Sequence, residues 1–306
     1  MSIRFPSRDQ LCQSIVSARS MAFPTTERER ERRRIVIMCL PFFVLATFAG
    51  FVPLIVMARM SLSAENLENA GWSFAAWEAL VTEPVYREIA WNTLWFATAA
   101  TVVSVALGVV ISHVLEKYSL PFENVLVAVV SFPIALPGIV VAFMAIVLLG
   151  RQGLVTNAVA VFTGSSAIDL ASATSVFGLF LGYVYSLVPR ATMVLRGTYA
   201  EVDTRAEEAA RSLGATPFET FYHVTLPEIR PGIVAAFILT FRSALAIFGT
   251  VLILQALAVV TLRIDYEIGV GFNTQIAGAI GLVYALFLIA FTFVGLRFVS
   301  NKTVEI

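Results

Sequence analysis

Six long apolar runs constrain this chain more than any other feature of its sequence. They cover residues 35–58, 89–110, 125–149, 172–188, 233–258 and 276–299. A helix needs about 20 apolar residues to cross a bilayer, so each run has the length of a transmembrane helix or comes close to it. Only 14% of the residues are charged, whereas soluble domains carry roughly 25%. The sequence therefore predicts an all-α polytopic membrane protein with about six transmembrane helices.

The positions of the basic residues predict the orientation of these spans. With six spans, both chain ends share a side with the loops after spans two and four. That side holds sixteen of the 21 Lys and Arg residues, and the opposite loops hold four. Because basic loops stay in the cytoplasm, both termini and loop 189–232 are expected to be cytoplasmic. The first run is too long for a signal peptide, so we expect a polar tail, residues 1–34, before a membrane domain, residues 35–306.

Composition and motif content exclude several other classes of protein. The net charge is zero, which leaves no basic face for nucleic acid. Cys12 and Cys39 have no pairing or metal spacing, and His113 and His223 lie far apart in the chain. No Gly-Lys pair is present, so the chain has no phosphate-binding loop of the Walker A type. We expect no catalytic site, metal or cofactor in this chain.

Loop 189–232 is the longest polar loop between spans, and its sequence predicts two short helices. Thr204 followed by Glu207 is typical of a capping box at a helix start, and Gly214 supplies the left-handed residue that ends a helix. Thr216 and Pro217 then repeat the start signal. The second helix is expected to reach about residue 223. Two helices with a tight turn between them would form a compact surface.

A second pattern in this loop predicts where the second helix ends and span five begins. Leu226 and Pro227 are expected to stop the second helix, because proline cannot donate the backbone hydrogen bond that a helix interior requires. Pro231 and Gly232 are then expected to begin the turn into span five.

The loop carries a motif with four elements at fixed distances. It reads Glu208-Ala209-Ala210, three residues, Gly214, nine residues, then Val224-Thr225-Leu226-Pro227. This arrangement resembles the EAA motif of type I ABC importer permeases, the binding-protein-dependent transport system inner membrane components. Every spacing agrees, and the departure is Val224 where Ile is usual. The resemblance extends over spans two to six, and residues 1–34 lie outside it.

The resemblance implies that the loop is a coupling helix that docks on a nucleotide-binding subunit. Ala209 and Ala210 would allow close approach, and Glu208 would offer a carboxylate to the partner. Gly214 would permit a corner that a side chain would block, and Leu226 with Pro227 would form a rigid exit into span five. The implied partners are ABC ATPase subunits that bind ATP and Mg²⁺, a second permease copy or homologue, an extracytoplasmic solute-binding protein and the lipid of a bacterial inner membrane.

Three residues inside the apolar runs are candidates for the translocation pathway. Pro133 and Pro137 are spaced to bend or break span three, either as part of a gate or as a packing kink. Arg242 lies about ten residues into span five, where a charge is costly. It either attracts an anionic cargo or serves a structural role by pairing or by reaching toward the membrane surface. No Asp or Glu lies within any of the six runs.

The sequence is compatible with several kinds of cargo. Residues 241–250 are most similar to the sulfate, iron, polyamine and phosphonate branch of the family. Some relatives there carry a carboxylate where this chain has Ile247. With Arg242, that difference favours a small anionic or zwitterionic solute such as an organophosphonate. Polyamine, ferric iron, sulfate and thiamine are the alternatives.

Two other classes of membrane protein remain as rivals. An ion-coupled secondary transporter usually needs acidic residues within its spans, and often inverted repeats. A membrane-embedded enzyme would need a nucleophile and a base, or metal ligands, at matched depth. The six apolar runs supply neither set of groups.

Overall fold

The computed structural model describes residues 27–64, 71–118 and 120–303. In these ranges the regular secondary structure is helical, apart from an isolated bridge between Ser63 and Trp72. The helices are α1 (Glu27–Ser61), α2 (Ala75–Thr82), α3 (Pro84–Lys117), α4 (Glu123–Ser131), a 3₁₀ turn (Phe132–Ala135), α5 (Gly138–Leu149), α6 (Leu154–Thr163), α7 (Ala167–Leu170), α8 (Val176–Tyr199), α9 (Thr204–Ser212), α10 (Pro217–Thr220), a π turn (Phe221–Thr225), α11 (Leu226–Ala246), α12 (Gly249–Leu254), α13 (Val260–Gly269) and α14 (Thr274–Thr303).

Six helical segments of the described chain are long and apolar enough to cross a membrane, which confirms the expected fold class and number of spans. They are Arg30–Ser61, Pro84–Lys117, Gly138–Thr163, Val176–Tyr199, Pro217–Ala246 and Thr274–Gly295. Most of them extend beyond the apolar runs, because helix continues through polar residues at either end.

The chain divides into two units, Met1–Arg59 and Met60–Ile306. The described part of the first unit is residues 27–59 of helix α1, whose apolar side chains are largely exposed. A helix that is apolar on all sides suits a lipid environment. Residues 1–26 of the expected tail lie outside the described residues, and residues 27–34 are helical and continuous with the first span.

Helices α3, α8 and α11 form the centre of the second unit. Phe96 and Leu187 are fully buried there, and the ring of Phe96 lies 4.9 Å from that of Tyr183 in an edge-to-face contact. Gly108 allows α3 and α8 to approach closely, because a Cβ at this position would lie 3.0 Å from the Cβ of Ala191. This contact agrees with the close helix packing expected of small residues in membrane proteins.

Span three is interrupted where the prolines predict. Helix α4 ends at Ser131, and α5 restarts at Gly138 after Pro137, whose ψ of 143° is extended. The run 125–149 is therefore not one span. The membrane-length segment is Gly138–Thr163, which adds α6 to α5.

Span five ends earlier than expected. The run 233–258 predicts one helix, but α11 ends at Ala246 and the chain restarts as α12 at Gly249. Carbonyl groups next to this break accept hydrogen bonds from tyrosines on other helices: Tyr183 donates to Ile247 O at 3.2 Å and Tyr284 to Leu245 O at 2.7 Å. These bonds compensate part of the backbone bonding that the break removes.

The two interrupted spans meet at their breaks. Thr250 on α12 donates a hydrogen bond to the carbonyl of Gly138 at 2.9 Å. A Cβ on Gly138 would lie 3.1 Å from Thr250 Oγ1, and one on Gly249 would lie 3.0 Å from the backbone nitrogen of Ile139. Glycine at both positions therefore permits the N-termini of α5 and α12 to touch.

Candidate functional site

The loop between spans four and five is shorter than the expected 189–232, because helix extends into it from both sides. Helix α8 continues through Pro189 to Tyr199. Arg190 donates a side-chain hydrogen bond to the carbonyl of Ser186 in the turn that this proline disturbs. We call residues 200–225 the corner loop.

The first helix of the corner loop is capped by a residue that the sequence pattern missed. Asp203, not Thr204, is the N-cap, and its side chain accepts a hydrogen bond from Arg205 N at 2.9 Å. The predicted capping box between Thr204 and Glu207 is therefore wrong. Aspartate one residue earlier satisfies a free backbone N–H equally well, and Glu207 has other partners.

Gly214 closes this helix in the left-handed conformation that the sequence predicts, with φ at +92°. Gly214 N bonds to Arg211 O at 3.0 Å, and Ala215 N bonds to Ala210 O at 3.1 Å. These two bonds form a complete Schellman motif. Apart from its two chain neighbours, no atom of the described residues lies within 4 Å of a Cβ built on Gly214, so neighbouring groups do not block a side chain there. The requirement for glycine is its backbone conformation.

The second helix begins as predicted, with a capping box and proline at its first position. Glu219 Oε2 accepts a hydrogen bond from Thr216 N at 2.8 Å, while Thr216 Oγ1 accepts one from Glu219 N at 3.3 Å. Pro217 needs no hydrogen-bond acceptor at this position. The corner between Gly214 and Pro217 is thus held at both ends.

Leu226 and Pro227 do not stop the second helix, which corrects the predicted exit. The chain passes from α10 through the π turn into α11, and Pro231 and Gly232 lie inside that helix. Leu226 N bonds to Phe221 O, five residues back. The wider turn lets the helix include a proline, because the bonding pattern changes just before Pro227. The second half of the corner loop and span five therefore form one continuous segment, Pro217–Ala246.

The motif residues Glu208 and Ala209 are exposed, as are three large apolar side chains of the corner loop. Leu213 at the corner is 90% exposed, Phe218 75% and Tyr222 57%. The rings of Phe218 and Tyr222 stack with their centroids 6.5 Å apart. Exposed apolar side chains grouped on a polar loop are typical of a surface that another protein covers.

Glu207, next to the motif, is buried at 7% exposure. Its carboxylate accepts a hydrogen bond from Thr225 Oγ1 at 2.5 Å and lies 2.8 Å from Lys117 Nζ at the end of α3. Burial alone would raise the pKa of Glu207, but the hydrogen bonds from Lys117 and Thr225 and the charge of Lys117 outweigh it. The pKa therefore lies below its ordinary value, and the group is a carboxylate at neutral pH.

The three pathway candidates lie in different surroundings. Pro133 is buried in the 3₁₀ turn, and Pro137 caps α5 at the meeting point of the two breaks. Arg242 lies one turn before the end of α11, where its side chain is exposed and has no ion pair or hydrogen bond with any residue that the structure describes. Ile247 forms the break itself. The sequence did not indicate this break or its tyrosine partners.

Residues 104–301 match the family model described as binding-protein-dependent transport system inner membrane component. The chain belongs to this family, the permeases of ABC importers. This permease is 29% identical to a probable sulfate transport system permease protein of Chlorokybus atmophyticus over 66% of each chain. It is 25% identical to a spermidine/putrescine transport system permease protein of Haemophilus influenzae, over 73% of this chain and 79% of the relative.

A probable molybdenum ABC transporter permease protein of Haloferax volcanii is 32% identical to this permease over 57% of this chain and 61% of the relative. Among solved structures, a bacterial ABC transporter involved in the import of the acidic polysaccharide alginate contains a chain with the same fold. Its TM-score is 0.72 at 16% identity, and the match covers 89% of this permease and 96% of that chain.

Proposed function

We propose that this chain is a permease subunit of an ATP-driven importer and that its corner loop receives the movement of a separate ATPase. The continuity of Pro217–Ala246 carries the proposal, because a push on the exposed corner acts directly on a membrane span. Leu213, Phe218 and Tyr222 supply apolar contact area for the partner, and Glu208 supplies a carboxylate at the rim. The ATPase would supply the ATP and Mg²⁺ chemistry.

The assembly that fits this role has two permeases, identical or homologous, around one pathway in the inner membrane. Two ATPase subunits would bind the corner loops on the cytoplasmic side, with both chain ends on that side. An extracytoplasmic solute-binding protein would deliver cargo from the other side. Support comes from the family, and from a second structure with a similar chain, a bacterial alginate ABC transporter in complex with an alginate pentasaccharide-bound periplasmic protein.

For the cargo we infer a small oxyanion. Arg242 has no counter-ion among the described residues and is exposed on a membrane span, so an anion from the pathway would offset its desolvation. Two of the relatives are named for sulfate and molybdenum transport, which agrees with this charge; the spermidine/putrescine relative does not. A phosphonate has the same tetrahedral anionic chemistry and stays within the proposal.

Purification of the tagged chain in mild detergent with mass spectrometry of its companions is the first test. Co-purification of an ATPase supports the role, and repeated isolation of the chain alone would contradict it. The complex is then reconstituted in liposomes and supplied with sulfate, molybdate, 2-aminoethylphosphonate or putrescine and the co-purified binding protein. ATP-dependent uptake of an oxyanion, lost in Arg242→Ala and retained in Arg242→Lys, supports the cargo class. Uptake of putrescine alone would refute it.

A further inference from the structure

Glu207 is buried although it lies on a polar loop with exposed neighbours on both sides. Glu208 and Ala206, adjacent in sequence, are both exposed. A carboxylate loses hydration when it is buried, and such groups persist where charged and hydrogen-bonding partners compensate. Its two partners, Lys117 and Thr225, are far from it in sequence.

The partners of Glu207 belong to different elements. Lys117 is the last residue of α3, Glu207 lies in α9, and Thr225 ends the π turn that leads into α11. A single carboxylate thus joins α9 to the end of α3 and to the π turn that leads into α11. The chain itself also connects α9 to α11, whereas Lys117 of α3 is ninety positions away in sequence.

A second ion pair, with α8, holds the C-terminal end of α3. Glu116, beside Lys117, accepts a hydrogen bond from Arg196 Nε of α8 at 2.5 Å, and both of these side chains are about a quarter exposed. Lys117 is more enclosed, at 12%. The Lys117–Glu207 pair is therefore better shielded from solvent than the Arg196–Glu116 pair. Removing one partner of a shielded pair leaves a buried charge without compensation, so the Lys117–Glu207 pair is the more sensitive to substitution.

Helix α3 is a suitable element to carry a displacement. It is continuous over 34 residues. Toward its other end, Thr93 Oγ1 accepts a hydrogen bond from Val260 N at 2.9 Å, at the start of α13. Movement of Lys117 would thus reach the segment that follows the break in span five.

We propose that Glu207 and Lys117 are positioning residues that couple displacement of the corner loop to α3. This inference rests on the proposed function, since it needs an ATPase that moves the loop. The exposed Glu208 meets the partner, whereas the buried Glu207 passes the movement inward. Two spans then respond to one contact: α11 through the backbone and α3 through the ion pair.

The test uses the assembled complex in liposomes and measures ATP hydrolysis and cargo uptake in the same sample. Glu207→Gln and Lys117→Met are each expected to retain the ATPase in the complex and to lower cargo imported per ATP by about tenfold. The charge-exchanged double variant Glu207→Lys with Lys117→Glu is expected to recover most of that ratio. Thr225→Val, which removes one hydroxyl, should give a smaller loss. Glu31→Gln changes an exposed acid of α1, outside the corner loop, and should leave the ratio unchanged.

Each outcome has a separate meaning. Unchanged import per ATP in Glu207→Gln and Lys117→Met, with wild-type import intact, overturns this inference alone. Loss of the ATPase from the variant complexes, or equal loss in the charge-exchanged variant, makes the pair a folding element and also overturns it. Absence of ATP-dependent import by the wild-type complex would overturn the proposed function, and this inference with it.

Discussion

Replacement of Gly214 tests whether the corner depends on backbone conformation. At φ +92° an L-residue is strained, and the strain costs about 1–2 kcal/mol. Space is not limiting, since a Cβ at this site has no neighbour within 4 Å among the described residues beyond the two next to it in the chain. Gly214→Ala should therefore open the Schellman motif roughly tenfold more often, because about 1.4 kcal/mol changes an equilibrium tenfold. Gly214→Asn should have a smaller effect, since asparagine tolerates the left-handed region.

Hydrogen exchange of the purified complex measures this opening directly. The amide of residue 215, bonded to Ala210 O, should exchange about tenfold faster in Gly214→Ala, and cargo import should fall while the chain stays inserted. Gly214→Glu should lower import further, because it also adds a charged side chain to the surface proposed to meet the ATPase. Gly197→Ala is the matched control, because Gly197 is exposed in α8, is helical and also has no neighbour near a Cβ. Equal exchange and import in Gly214→Ala, Gly197→Ala and the wild type would refute the argument.

Three further outcomes follow from the contacts described above. Gly108→Val should place its side chain against Ala191 and lower the apparent melting temperature in detergent by several degrees, since overpacking costs about 1–3 kcal/mol; an unchanged value would contradict the close helix contact. Tyr284→Phe should cost about 1 kcal/mol by removing the donor to Leu245 O, and should increase hydrogen exchange at the break in span five; unchanged exchange there would count against that role. Because the pKa of Glu207 is lowered in the folded protein, the stabilisation from its ionised form is complete above its ordinary value of 4.5 and is lost as the pH falls through the folded value. The melting-temperature difference between wild type and Glu207→Gln should be constant from about pH 7 to pH 5.5 and shrink in more acidic solution, whereas a constant difference down to pH 3 would refute the ion pair.

The features predicted correctly are those decided by nearby residues. The six spans follow from apolar length, and the turn at Gly214 and the capping box at Thr216 depend on residues within one helical turn. The interruption at Pro137 follows from the chemistry of proline itself. In each case the physical cause is contained in the segment that the pattern covers.

The features predicted incorrectly depend on partners elsewhere in the chain or on competing local signals. Glu207 fits a capping box, but Lys117 lies ninety positions away and no sequence pattern joins the two. The break after Ala246 is stabilised by hydrogen bonds from tyrosines of α8 and α14. Those partners lie outside the apolar run 233–258, so the run itself does not indicate the break. Pro227 looked like a stop signal because the π turn that accommodates it has no sequence pattern of its own.

The unbroken segment Pro217–Ala246 has a geometric consequence. Its 30 residues span about 45 Å at 1.5 Å per residue, so the corner and the break in span five are the two ends of one rod. A tilt of about 10° around one end would displace the other by about 8 Å over that length. A small rotation imposed at the corner would be amplified at the break, where α12 touches the start of α5.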